Sequence, residues 1–323
     1  MSSNEQYQNI LETYSRATSD LSKDKLGHFF ERAYFASGNV AYTSLIFDAF
    51  QKSRLQKLKN ALLNWNNPEY VYIPTFKKNT SSPNTKRNNK RKEWYQAHPK
   101  LPLLHDITNG AFFLKKFHLT QTFRDIYSES KETLTDLMKE SERLYSREGI
   151  LIDSSYSANT LFHLRSLGIV DYTSLYLTAF QNILVTDYAD PATLPQEDLY
   201  SVFYTLTHII IAASDFYDRV PAEGFSWIFS YFELHQAIAE KNLSLDILTE
   251  VALCYKICGH QVDQNSIYQK YFTHVLHTFA LVSKEDTSYL EKTEHTASIA
   301  LLLFSPTKTF FSGPDLAHLS LEK

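Results

Sequence analysis

Cysteine is nearly absent from this chain of 323 residues: Cys254 and Cys258 are the two. Two thiols cannot build a disulfide framework, so a reducing compartment is the expected setting. Breakers of regular structure are also few, with 8 glycines and 10 prolines against 21 tyrosines and 22 phenylalanines. That balance predicts long elements joined by short connections. No excess of basic charge is present. A net charge of −4 gives no global pull toward nucleic acid or an anionic membrane. The longest apolar runs, HIIIAA and SIALLLF, fall far short of the roughly 20 residues a bilayer demands, so no membrane span is expected. The opening residues, MSSNEQYQNILETYSR, show neither a basic nor an apolar signal region. The expectation is a soluble, cytoplasmic protein. A phosphate-cradling glycine loop, a nucleophile elbow and an Asp-rich isoprenoid motif are missing as well, and no cofactor is assigned.

What the sequence does contain is helical. Hydrophobic residues make up 43% and charged residues 21%, enough for a sizeable core. Between Pro102 and Pro191 no proline occurs, and apolar residues recur at three- and four-residue steps, as in Leu161, Leu164 and Leu167. Further helices are predicted over residues 200–217, 225–239, 245–258, 267–282 and 290–304. The connections between them are short, which implies antiparallel neighbours.

An internal repeat is the strongest pattern. GNVAYTSLIFDAFQ, from Gly38, aligns with GIVDYTSLYLTAFQ, from Gly168, at nine of fourteen positions. A weaker third copy, VDQNSIYQKYF, follows Gly259. Each glycine is expected to close one helix in a left-handed conformation, with the serine opening the next. A fainter pair sets ITNGAFFLKKF against LTHIIIAASDF, with Asn109 opposite His208. The spacings suit about six helical hairpins. The expected fold is therefore all-α, a single (α/α) toroid over residues 1–323, with an open helical-repeat superhelix as the alternative.

One stretch stands apart. Lys77 to Lys92, KKNTSSPNTKRNNKRK, holds basic residues but no acid and no apolar side chain. Its composition predicts a disordered insertion or a tether for an anionic partner. Nucleic acid is otherwise not expected as a partner.

Polar residues that recur near one end of successive inner helices would converge on a central cavity. The candidates are His105, Asp106 and Asn109; Asn159 and His163; Tyr204, His208 and Asp215; Asp246, Glu250 and Cys254; and Glu294, His295 and Ser298. Asn159 and Glu250 each stand nine residues before a repeat glycine, and His163 and Cys254 each five before it. On a continuous helix His208 and Asp215 would share a face about 10 Å apart, too far to form a dyad. Tyr204, one turn before His208, can reach it, and Arg219 is the expected partner of Asp215. As a reading of chemistry, His208, Asp215, Glu250 and Tyr204 are the acid/base candidates. His105, Asn109, Asn159, His163 and His295 are the binding candidates. Cys254, Cys258 and His260 could begin a zinc site, and His274 with His277 another, but neither set has an identifiable further ligand, so no metal is assigned.

At YTLTHIIIAASDFYDR and the downstream LDILTEVALCYKICG the chain resembles bacterial α/α-toroid proteins. Their shared element is a helix with Thr-His near its start and Ser/Thr-Asp-Phe/Tyr at its end. The resemblance covers roughly residues 101–304 and implies a six-hairpin ring in which His208 and Asp215 are the marked pair. It supports a fold more than a reaction. Three functions follow as expectations: acid/base hydrolysis or elimination on a glycan or modified peptide in a central cavity, a protein-binding helical scaffold, or a non-catalytic binder of an apolar ligand.

Overall fold

The computed structural model describes residues 2–16, 21–67, 70, 85–119, 131–279 and 287–319. Among them every regular element is helical and no strand occurs. In chain order the first helices are α1 (Ser3–Arg16), α2 (Lys23–Ser37), α3 (Thr43–Lys52), α4 (Arg54–Asn64), α5 (Thr85–Ala97), α6 (Lys100–Lys116) and α7 (Lys131–Ser141). They are followed by α8 (Ser155–Leu167), α9 (Thr173–Thr186), α10 (Gln196–Ala213), α11 (Ser226–Leu234) and α12 (Gln236–Asn242). The last three are α13 (Leu245–Ile257), α14 (Ser266–Phe279) and α15 (Thr287–Phe304).

The helices group into two compact units. The first joins Met1–Ser53 to Ala213–Ser320, and the second is built from Arg54–Ala212. In the first unit α15 is the central helix, packed on α1, α2 and α13. Its run from Ala297 to Phe304 is buried on every side, which is why SIALLLF is apolar all round rather than striped. In the second unit α6 plays that part, packed on α4, α7 and α8.

The repeat is a structural unit. Gly38, Gly168 and Gly259 have φ of 66°, 71° and 80°, the left-handed region where a side chain is disfavoured. Each follows a helix (α2, α8, α13), and the next helix opens with the predicted serine in its first turn, at Ser44, Ser174 and Ser266.

Two expectations change. The helix foreseen over residues 200–217 ends at Ala213, and Asp215, Phe216 and Tyr217 have φ of 53°, 55° and 76°. Ser214 holds this turn: its Oγ accepts from the Tyr217 N–H at 2.9 Å, and its carbonyl accepts from Asp218 and Arg219 at 2.9 and 3.0 Å. Asp215 is therefore outside the helix that carries His208, and the shared face does not exist. In the basic stretch, residues 77–84 lie outside the described residues. From Thr85 onward the chain is helix α5 rather than a disordered loop. Arg91 from that stretch is buried, its guanidinium 4.8 Å from the Tyr156 ring centre and 3.6 Å from Asp153. It serves the fold, not an external anion.

Candidate functional site

The first unit brings together a dense group of ionisable side chains. Asp246 and Glu250, one turn apart, occupy one face of α13. Helix α15 contributes Glu294, His295 and Thr296, and α2 contributes Lys25, His28 and Arg32. The apolar packing of α15 against both neighbours sets these polar positions side by side.

Two imidazole–carboxylate pairs result. His295 Nδ1 lies 2.7 Å from Asp246 Oδ1, and its Nε2 is 3.8 Å from Glu250 Oε1. His28 Nδ1 lies 2.8 Å from Glu294 Oε1, whose second oxygen is 3.2 Å from Lys25 Nζ. The two rings stack, with centres 5.1 Å apart and planes 21° from parallel. The Thr296 hydroxyl donates to Asp246 Oδ1 at 2.9 Å. Arg32 donates to the His28 carbonyl at 3.1 Å and faces the Tyr217 ring. The left-handed turn at residues 215–217 thus brings Tyr217 against an arginine of the cluster.

Exposure divides the group. The Glu294 and Glu250 side chains are 0% and 1% exposed, whereas His28, His295 and Asp246 are 23%, 28% and 23% exposed. The deep carboxylates are sealed while the imidazoles and Asp246 can be reached from solvent. Burial and the nearby Arg32 guanidinium push His28 down to about 3, against the pull of Glu294. Burial opposes charge on His295 too, but the Asp246 carboxylate and then Glu250 outweigh it and raise His295. Burial likewise works against ionised Glu294, which His28, Arg32 and Lys25 nevertheless hold down at about 2. Neutral His28 must give its Nδ1–H to the acceptor-only carboxylate, which leaves Nε2 as an acceptor.

The donor atoms of Asp246, Glu250 and His295 lie within 4.8 Å of one another, the set among the described residues able to hold a metal ion. The thiols do not offer a second one. Burial raises Cys254 well above the usual range and lifts Cys258 to about 12, so both stay protonated, and Phe229 and Tyr255 pack on the His260 ring. A cleft of about 360 Å³ elsewhere in this unit is lined by residues including Lys256, His260, Tyr268, Phe272 and Phe304.

In the second unit the predicted residues fall into separate arrangements. His105 bridges Thr160 and Asp153, each at 2.6 Å, and Tyr95 donates to the other Asp153 oxygen at 2.7 Å. Asp153 is fully buried. Burial works against its charge, yet His105, Arg91 and Tyr95 hold it below the usual carboxylate range. His208 Nδ1 meets Asn159 Oδ1 at 3.1 Å, and the Tyr204 ring lies 4.3 Å away, as the one-turn spacing foretold. His163 is buried and stacked on Phe112 at 4.3 Å, and Asn109 is half-buried on α6. Asp215, which lies in the first unit, pairs with Arg219 at 2.6 Å.

Of the nine candidates, the first unit joins Glu250 to His295, and the second joins Tyr204, His208 and Asn159. Sequence reasoning passed over His28. Its signal was the repeat: it stands ten residues before Gly38, one place from the position that Asn159 and Glu250 take before theirs.

The sequence profile of a family described as a domain of unknown function, DUF3541, matches residues 3–322, nearly the whole chain. The chain belongs to the DUF3541 family. No curated protein and no solved structure matches it.

Proposed function

We propose that this DUF3541 chain is an enzyme of acid/base chemistry, hydrolysing or eliminating on a glycan or modified peptide, and that its working groups are His28 and His295 with their carboxylates. The observation that carries this reading is the stacked pair of imidazoles, each bonded to a carboxylate and each with solvent access. His28 acts as the base through Nε2, its tautomer set by Glu294. His295, with Asp246 and Glu250, forms the opposite wall, where a water or leaving group would be held. Glu250, expected as an acid/base group, is in this reading a buried neighbour of His295. His208, Tyr204 and Asp215 do not belong to this group of residues.

The reading takes the helices as an (α/α) toroid. Its support is the packing of α1 and α2 on α15, the first and last helices of the chain, as a closed ring requires. An open superhelix has no reason to join its ends.

The test uses His28→Asn, which keeps an N–H for Glu294 but has no Nε2. Purified protein is offered a panel of polysaccharides and glycopeptides, with new reducing ends and new unsaturation as readouts. Turnover by the wild type is expected to fall roughly 100-fold or more in the variant, the usual worth of a positioned base, with the melting temperature held. Equal turnover by the two proteins, or none across the panel, would sink the reading.

A further inference from the structure

We infer that Asp246, Glu250 and His295 are the protein ligands of a divalent cation. The inference deepens the reading of the same cluster and rests on it for its catalytic meaning, though not for the binding itself.

The donor set is mixed: two carboxylates and an imidazole. Oxygen and imidazole donors without thiolate suit ions of the Zn²⁺ or Mn²⁺ class. Bonds of about 2.0–2.2 Å to a shared ion put donor atoms no more than about 4.4 Å apart. The present limit of 4.8 Å needs only a few tenths of an ångström of closure. The backbone favours it, because the carboxylates are one turn apart on α13 and His295 faces them from α15.

The surroundings behave as an outer shell. Thr296 donates to Asp246 and fixes its carboxylate, and the His28 ring lies flat against His295. Outer partners of this kind orient ligands and tune their affinity. Two carboxylates converge here on one imidazole, with Glu250 almost fully buried. The other buried His–Asp pair, His105 with Asp153, has no third imidazole or carboxylate among the described residues to complete such a ligand set. Arg91 and the Tyr95 hydroxyl already occupy that aspartate. Three protein ligands leave coordination positions open, as in catalytic rather than structural sites, and a water held there becomes ionisable near neutral pH.

The experiment titrates chelator-treated full-length protein with ZnCl₂ alone and, separately, MnCl₂ alone, by calorimetry and by Mn²⁺ electron spin resonance. One equivalent is expected to bind. Asp246→Asn and His295→Ala should weaken binding roughly 100-fold, and Thr296→Val about 10-fold, the scale of an outer-shell loss. His277→Ala, at an exposed histidine, should leave it unchanged and so removes surface capture as an explanation. Thr296→Val keeps the test alive should His295→Ala fail to fold. Binding without one-to-one stoichiometry, or binding that Asp246→Asn and Thr296→Val do not touch, overturns the inference. Because no substrate enters, the two readings fail separately: a bound ion with a silent substrate panel removes the enzyme, and turnover without a bound ion removes the cation.

Discussion

His163 shows how a histidine in this fold is tuned by burial and by neighbouring charge. It is 3% exposed, stacked on Phe112, and pushed down to about 3, first by burial and then by Arg54 and Lys116. Its folded value lies below the unfolded 6.5, so the neutral ring contributes stability that is present above pH 6.5 and lost as the pH falls toward 3. A shift of that size sets a ceiling of about 5 kcal/mol on the contribution. His163→Leu should cost roughly 1–2 kcal/mol at pH 7 through the lost stack, yet show a flatter acid limb. Urea unfolding at pH 7 and pH 4.5 measures both. The gap between wild type and variant should shrink or reverse at the lower pH, and parallel losses would show that His163 does not carry the acid sensitivity. The sequence marked this residue as a ligand-binding candidate because it matched Cys254 in the repeat. Both positions are buried, so what the match encoded was a core position.

At the scale of the element, the repeat glycines do the same backbone work in different surroundings. A Cβ on Gly168 or Gly259 would meet nothing within 4 Å, whereas one on Gly38 would come within 2.7 Å of the Phe311 ring. Gly168→Ala therefore bears only the left-handed backbone cost, about 1–2 kcal/mol. Gly38→Ala must also displace Phe311, and that ring is 44% exposed, so the extra cost is on the order of 1 kcal/mol. Thermal unfolding should rank wild type above Gly168→Ala above Gly38→Ala. Equal losses would mean that Phe311 moves aside freely. These elements were legible because glycine, serine and apolar spacing act locally: helices α8, α9, α13 and α14 stand close to where the periodicity put them. The end of α10 was not legible. Nothing in Ala-Ser-Asp-Phe-Tyr forbids helix, and the left-handed turn depends on the Ser214 hydrogen bonds and on where Tyr217 must pack.

Across the whole chain, the candidate cluster draws on residues 25–32, 246–250 and 294–296, and local pattern does not say which helices meet. The repeat offset found Glu250, and His295 was picked out as a polar break in an apolar helix. Their pairing with His28 required knowing that α2 packs on α15. That packing also makes a prediction about folding. The first unit is assembled from two ends of the chain, so residues 213–320 alone lack the helices that cover one side of α15. Without α1 and α2, part of the surface formed by Ile299, Leu301, Leu302 and Leu303 loses its cover, as does the bond between the Tyr14 hydroxyl and Thr293 at 2.9 Å. At about 1.5–3 kcal/mol per side chain, the deficit is on the order of 5–10 kcal/mol, comparable to the whole stability of a domain. The fragment 213–320 should therefore be insoluble or molten when expressed alone. Co-expression with residues 1–53 should return a soluble, helical pair that co-elutes in size-exclusion chromatography. A soluble, cooperatively melting fragment 213–320 would show instead that α15 is held chiefly by α13.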